Sequence, residues 1–113
     1  MTAIRIGYRE LVSAIHDVLA AEGVTAPVRE AESEIMADAD LMGVPSHGVR
    51  MLPGLVSGLR EGRASASPRL QLMRDRGAAC VLDCDNGPGR YVSLQAMDHA
   101  VERAHRFGIG ACL

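Results

Sequence analysis

The sequence predicts an α-rich α/β segment, with amphipathic helices first and a few short strands later. Three observations predict it. Apolar residues recur at spacings of three and four in four separate stretches, glycines stand at the ends of those stretches, and the apolar runs near residues 70–73, 79–82 and 109–113 are too short for helices. With 48% hydrophobic and 23% charged residues, the 113-residue chain has an ordinary globular composition. A chain of this size can bury roughly 65% of the surface that its unfolded form exposes.

The first helix follows from Tyr8, Leu11, Val12, Ile15, Val18 and Leu19, which form one stripe, with Gly23 just past its end. A second helix is expected after Thr25, a fair N-cap, with Pro27 in its first turn and Gly43 as its stop. Its inner face is expected to hold Ala31, Ile35, Ala39 and Met42, and Glu30, Glu32 and Glu34 suit the positive end of its dipole. Val49, Leu52, Val56 and Leu59 mark a third helix interrupted by Pro53. Either it starts near Pro53, or it starts near Ser46 and bends at the proline; the sequence favours the second. Residues 62–68 read as a loop. Strands are expected at Leu70–Met73 and Ala79–Leu82, then a turn at DCDNGPG and a long helix from about Tyr91 to Phe107. Leu94, Met97, Val101 and Ala104 are its expected inward residues, Gly108 closes it, and IGACL begins another strand. Met36, Met42 and Met97 are expected to fill the core.

Composition removes several function classes. The net charge of −2 speaks against a nucleic-acid partner. No apolar run approaches the ~20 residues that a membrane span needs, and the first ten residues lack the pattern of a secretory signal. Three cysteines, Cys80, Cys84 and Cys112, suit a reducing, cytoplasmic setting better than a disulfide framework. All twelve basic residues are arginine. Charge is unevenly spread: residues 1–43 carry eight acids and three arginines, and residues 44–113 carry six acids and nine arginines. That asymmetry fits either a solvated acidic helix followed by basic loops, or a second part that faces an anion.

GVPSHGVR, residues 43–50, gathers the side chains best able to do chemistry. His47 can give or take a proton near neutral pH, as general acid–base catalysis requires. Ser46 can hydrogen-bond to it or to a substrate oxygen, and Gly48 lets another group approach the backbone. Arg50 falls on the same side as His47 if both are helical, where a guanidinium can grip a carboxylate with two bonds. The same residues also fit a serine that caps a helix, a histidine in its first turn and an arginine facing water.

The segment DLMGVPSHGVRMLPGLVSGLREG resembles the signature of the type-2 malate/L-lactate dehydrogenase family, which includes ureidoglycolate dehydrogenase, diketogulonate reductase and piperideine-2-carboxylate reductase. The resemblance continues through LVSAIHDVLAAEGV and VLDCDNGPGRYVSLQAMDHAVERAHRFGIGACL. It implies an α/β fold unlike the Rossmann type, of which residues 1–113 form the N-terminal, substrate-side third. It also implies NAD or NADP as cofactor, held mainly outside this segment, a small carboxylate substrate, and a homodimer. By the same resemblance His47 exchanges a proton with the substrate's carbonyl or hydroxyl. Ser46 belongs to a relay that ends on an aspartate farther along the family's sequence. Members often carry a substrate-contacting arginine four residues after the histidine. Met51 stands there in this chain, with Arg50 beside it as the substitute contact.

Other candidates are weaker. GPGRY at residues 87–91 offers glycine amides at a helix start but lacks the phosphate-loop lysine and the dinucleotide spacing, so a plain turn is expected. Cys80, Cys84 and His99 match no zinc spacing, and no metal is expected. His16 and His105 read as structural. The rival to an oxidoreductase segment is a non-catalytic helical interaction domain.

Overall fold

A computed structural model describes residues 3–113. Helix α1 spans Tyr8–Ala21 and α2 spans Ala26–Leu41. Thr25 is the N-cap of α2 with Pro27 in the first turn, and Gly23 and Gly43 follow the two helix ends with φ +77° and +76°. Only glycine takes that left-handed backbone without strain, so each helix stops where the sequence placed its stop. At the other end of α1, Glu10 Oε2 accepts the Gly7 N–H at 3.1 Å.

The two helices pack together around Ile15, Leu19, Val24, Val28 and Met36, with Leu11, Val49, Leu52, Leu55, Leu59, Ala66 and Tyr91 leaning on that cluster. Burying each large aliphatic side chain contributes about 1.5–3 kcal/mol. The inner side of α2 differs from expectation. It carries Val28, Glu32, Ser33, Met36, Ala37 and Ala39, while Met42 is exposed. Two polar residues on the buried side turn the helix relative to a pattern that counts acids as solvated. Tyr8 ties α1 to α2 by donating its phenol to Asp38 Oδ1 at 2.8 Å, which pushes the phenol above the usual tyrosine range.

Between α2 and the next helix lie two 3₁₀ turns, Pro45–His47 and Val49–Met51, and only then α3, Leu52–Arg60. The expectation of a helix starting near Ser46 and bending at Pro53 is therefore corrected. Gly48 breaks the run with ψ −151°, and Pro53 sits in the first turn of α3, where its missing N–H has no partner to lose. Glu22, at the end of α1, accepts from Arg60 Nε at 3.0 Å and so anchors the far end of α3.

Strands β1 (Gln71–Arg76) and β2 (Ala79–Asp83) form an antiparallel hairpin, and β3 (Ala111–Cys112) pairs parallel to β2. The sheet order is β1-β2-β3. β1 runs three residues beyond its expected end, because ladder bonds do not require apolar side chains and Arg74–Arg76 lie on an exposed edge. Helix α4, Gly89–Phe107, joins β2 to β3. Its expected inward residues Leu94, Met97 and Val101 are exposed, and the buried residue is Arg103, bonded to Asp75 Oδ2 at 2.9 Å. The side of α4 that carries Arg103 meets the small sheet through Asp75 of β1. Met97, like Met42, is thus no part of the core, whereas Met36 is central to it.

Candidate active site

The turn after α2 is held from below by Asp40. Its Oδ2 accepts the Val49 N–H at 2.8 Å, and Gly48 is buried against it. A Cβ at residue 48 would overlap the Asp40 carboxylate, so the glycine of the Ser-His-Gly run answers to an aspartate eight residues earlier. Asp40 lies in the last turn of α2, where the helix dipole disfavours negative charge. An acid in that position has to be held by something outside the helix ladder. That, together with its place at the head of DLMGVPSHGVR, is the signal in the sequence that points to it.

Within the turn, Ser46 Oγ and His47 Nδ1 are 3.0 Å apart. Adjacent residues seldom meet side chain to side chain, but the tight 3₁₀ backbone folds the serine onto the ring. His47 is exposed, and among the described residues its Nε2 has no hydrogen-bond partner. The His47 carbonyl accepts from Arg90 Nη2 at 2.9 Å. Arg90 in turn places Nη1 3.2 Å from Oε2 of Glu32, which is wholly buried on α2. The other Glu32 oxygen accepts the Tyr91 N–H at 2.9 Å, in the first turn of α4. Neither Glu32 nor Arg90 was singled out on its own in the sequence: Glu32 reads there as one of three acids at the positive end of the α2 dipole, and Arg90 as part of the GPGRY turn.

Arg50 lies where the second 3₁₀ turn meets a pocket of about 290 Å³, lined also by Glu32, Met51, Gly54, Leu55, Gly89 and Arg90. The expectation that Arg50 and His47 share a helical face is corrected, since Gly48 separates them into different turns and His47 does not line that pocket. Arg90 is the residue that touches both. Among the described residues Arg50 has no carboxylate partner. Four other arginines of the basic part, Arg60, Arg63, Arg90 and Arg103, pair with the chain's own acids. Two of these pairs, Arg60–Glu22 and Arg90–Glu32, join the basic part to the acidic one and answer part of the charge asymmetry internally, and Arg50 is a cation still available at the pocket wall.

The residues of this pocket fit a small anion, and a dinucleotide would be held mainly by residues outside it. The pocket is at the small end of ligand sites. The start of α4, where the GPG turn presents its amides, already has the Glu32 carboxylate on the Tyr91 N–H. His16 accepts from Arg29 Nε at 3.1 Å, and His99 lies beside Arg103. Among the described residues no group of three His, Cys, Asp or Glu side chains is placed to hold a metal ion. Cys80 and Cys112 are partners across β2 and β3, and burial pushes the Cys112 thiol above its ordinary value, which makes it a poor nucleophile. No helix among the described residues is long and apolar enough to cross a membrane.

Comparison with known proteins covers the fold and this turn together. The family model for malate/L-lactate dehydrogenase matches residues 6–113. A malate dehydrogenase of Pyrococcus abyssi is 37% identical over 111 residues, which are 95% of this chain and 30% of that protein. An L-sulfolactate dehydrogenase of Methanocaldococcus jannaschii is 32% identical over 85% of the chain and 28% of its own length. Among solved structures, the malate dehydrogenase of Pyrococcus horikoshii superposes with a TM-score of 0.93 at 32% identity, covering 96% of this chain and 31% of that one. The chain thus spans about 30% of the length of the relatives it matches. With the helices, the mixed sheet and the Ser-His-Gly turn all lying inside the matched residues, the chain belongs to the malate/L-lactate dehydrogenase family.

Proposed function

We propose that this chain is the N-terminal, proton-transferring part of an oxidoreductase that interconverts a small 2-hydroxy acid and its 2-keto acid with NAD or NADP. The observation that carries this reading is the Ser46–His47 contact, set in a turn braced by Asp40 and Arg90 and followed by Arg50, which has no carboxylate partner among the described residues. With Nδ1–H donating to the Ser46 oxygen, a neutral ring keeps its lone pair on Nε2, which faces outward. In oxidation Nε2 takes the hydroxyl proton and the ring becomes an imidazolium; in reduction the imidazolium gives that proton to the carbonyl oxygen at C2 and the ring returns to its neutral form. The nicotinamide cofactor, when bound, supplies or accepts the hydride at C2. Arg50 holds the C1 carboxylate, which fixes the distance between C2 and the histidine. Ser46 keeps the ring in one orientation and passes its proton onward. Three free thiols suit a cytoplasmic setting, and a homodimer is the assembly that the resemblance implies.

The test is a nicotinamide-coupled assay on the intact enzyme with 2-keto acids and with aldehydes of the same size that lack the carboxylate. Keto acids are turned over and the aldehydes are not. Arg50→Met raises KM for the keto acid by roughly 10- to 100-fold, the loss of one charge-assisted bond of about 1.5–3 kcal/mol, with cofactor affinity unchanged. Equal turnover of acid and aldehyde, or an unchanged KM in Arg50→Met, removes the carboxylate clamp.

A further inference from the structure

We infer that Arg90 is the positioning residue for His47, held in place by the buried carboxylate of Glu32. The inference rests on the reading of His47 as the proton-transfer group and names what orients it. One guanidinium reaches two places at once: Nη1 lies 3.2 Å from Glu32 Oε2, and Nη2 donates to the His47 carbonyl at 2.9 Å. Glu32 is fully buried and spends its second oxygen on the Tyr91 N–H, so α2, the first turn of α4 and the His47 peptide meet at a single ion pair. Asp40 fixes the same turn two residues later through the Val49 N–H. The His47 backbone is therefore gripped on both sides by groups that answer to α2.

A buried ion pair is a poor way to add stability, because desolvation offsets most of the attraction, and an apolar pair of the same volume packs as well. An apolar pair cannot bond a carbonyl. The geometry uses the two ends of a rigid fork, which a lysine cannot reproduce. Arg90 lines the same pocket as Arg50, but both of its Nη atoms are already taken, by Glu32 and by the His47 carbonyl. It acts by restricting the peptide that carries the imidazole, so that the Ser46 contact persists and Nε2 keeps one direction.

The test is the χ1 rotamer of His47, read by NMR three-bond couplings on the labelled chain, in the wild type and in Arg90→Lys, Arg90→Met and Glu32→Gln. The wild type shows one rotamer. Arg90→Lys keeps its charge beside the buried Glu32, because an unpaired carboxylate there is the larger penalty. The methyl signals of Ile15 and Leu19 therefore stay put, while His47 averages over rotamers and the Val49 amide exchanges faster. Arg90→Met and Glu32→Gln show the same averaging. In the intact enzyme, Arg90→Lys lowers kcat about 10- to 100-fold with KM for the keto acid nearly unchanged, the signature of a misplaced catalytic group. A single His47 rotamer in folded Arg90→Lys overturns the inference. So does averaging already present in the wild type, or a lysine variant that restores both fold and His47 order. Because the rotamer is read without turnover, an ordered His47 in Arg90→Lys leaves the proton-transfer reading standing. Full turnover in His47→Ala would do the reverse.

Discussion

At the scale of single residues, the Ser-His-Gly run is a set of contacts with residues distant in the chain. Gly48 has no room for a methyl group because Asp40 occupies it. Gly48→Ala should therefore displace the carboxylate from the Val49 N–H and cost about 1.5–3 kcal/mol, the worth of a hydrogen bond to a charged acceptor. Asp40→Ala loses the same bond. The double variant Gly48→Ala with Asp40→Ala should cost no more than Asp40→Ala alone, a coupling that denaturant titration can measure. Fully additive losses would show that the two residues act separately. Ser46, His47 and Arg50 were legible from residue type and from resemblance. The contacts of Asp40, Glu32 and Arg90 were not, because their partners lie 9, 59 and 43 residues away, and no local pattern announces a contact of that kind.

At the scale of elements, punctuation was the reliable signal. Gly23, Thr25, Pro27 and Gly43 marked the bounds of α1 and α2, and the turn residues after Asp83 marked the start of α4. Facing was less legible. Periodicity finds an apolar stripe on α4, but the residue that the fold buries is Arg103, placed by its pairing with Asp75 rather than by hydrophobicity. The third helix was misjudged for a related reason: Val49 fits the helical period, yet Gly48 had to leave it to admit Asp40. One tie between elements makes a pH prediction. The Arg60 guanidinium bonded to Glu22 holds that carboxyl below the usual glutamate range, against a smaller opposing push from burial. A carboxyl depressed in the folded state contributes stability above its ordinary range and loses it as pH falls through the folded-state value. Arg60→Met should therefore melt slightly below the wild type at neutral pH, and the two should converge as pH falls through the folded-state value of Glu22. The gap should be small, since an exposed pair is screened by water and salt. A gap that persists in acid would show that Arg60 stabilises α3 by packing instead.

At the scale of the whole molecule, the shape bears on function. The radius of gyration is 15.9 Å, against about 13 Å for a compact chain of this length, and the principal extents are 53 × 30 × 20 Å. Leu41, Met42, Leu94, Met97, Val101, Ile109 and Leu113 stand exposed. Apolar surface of that extent marks a place where protein meets protein, in keeping with a segment that spans about 30% of its relatives. The isolated 113-residue chain should therefore associate with itself and turn over no 2-keto acid. Light scattering beside a nicotinamide-coupled assay checks both, and a clean monomer with activity would contradict the reading of the chain as one part of a larger site. The central claim, that His47 moves the proton, is tested most directly by kcat of His47→Ala in the intact enzyme, with fold and cofactor affinity verified alongside. A fall of about 10²–10⁴-fold is predicted. Turnover within about twofold of the wild type would contradict it.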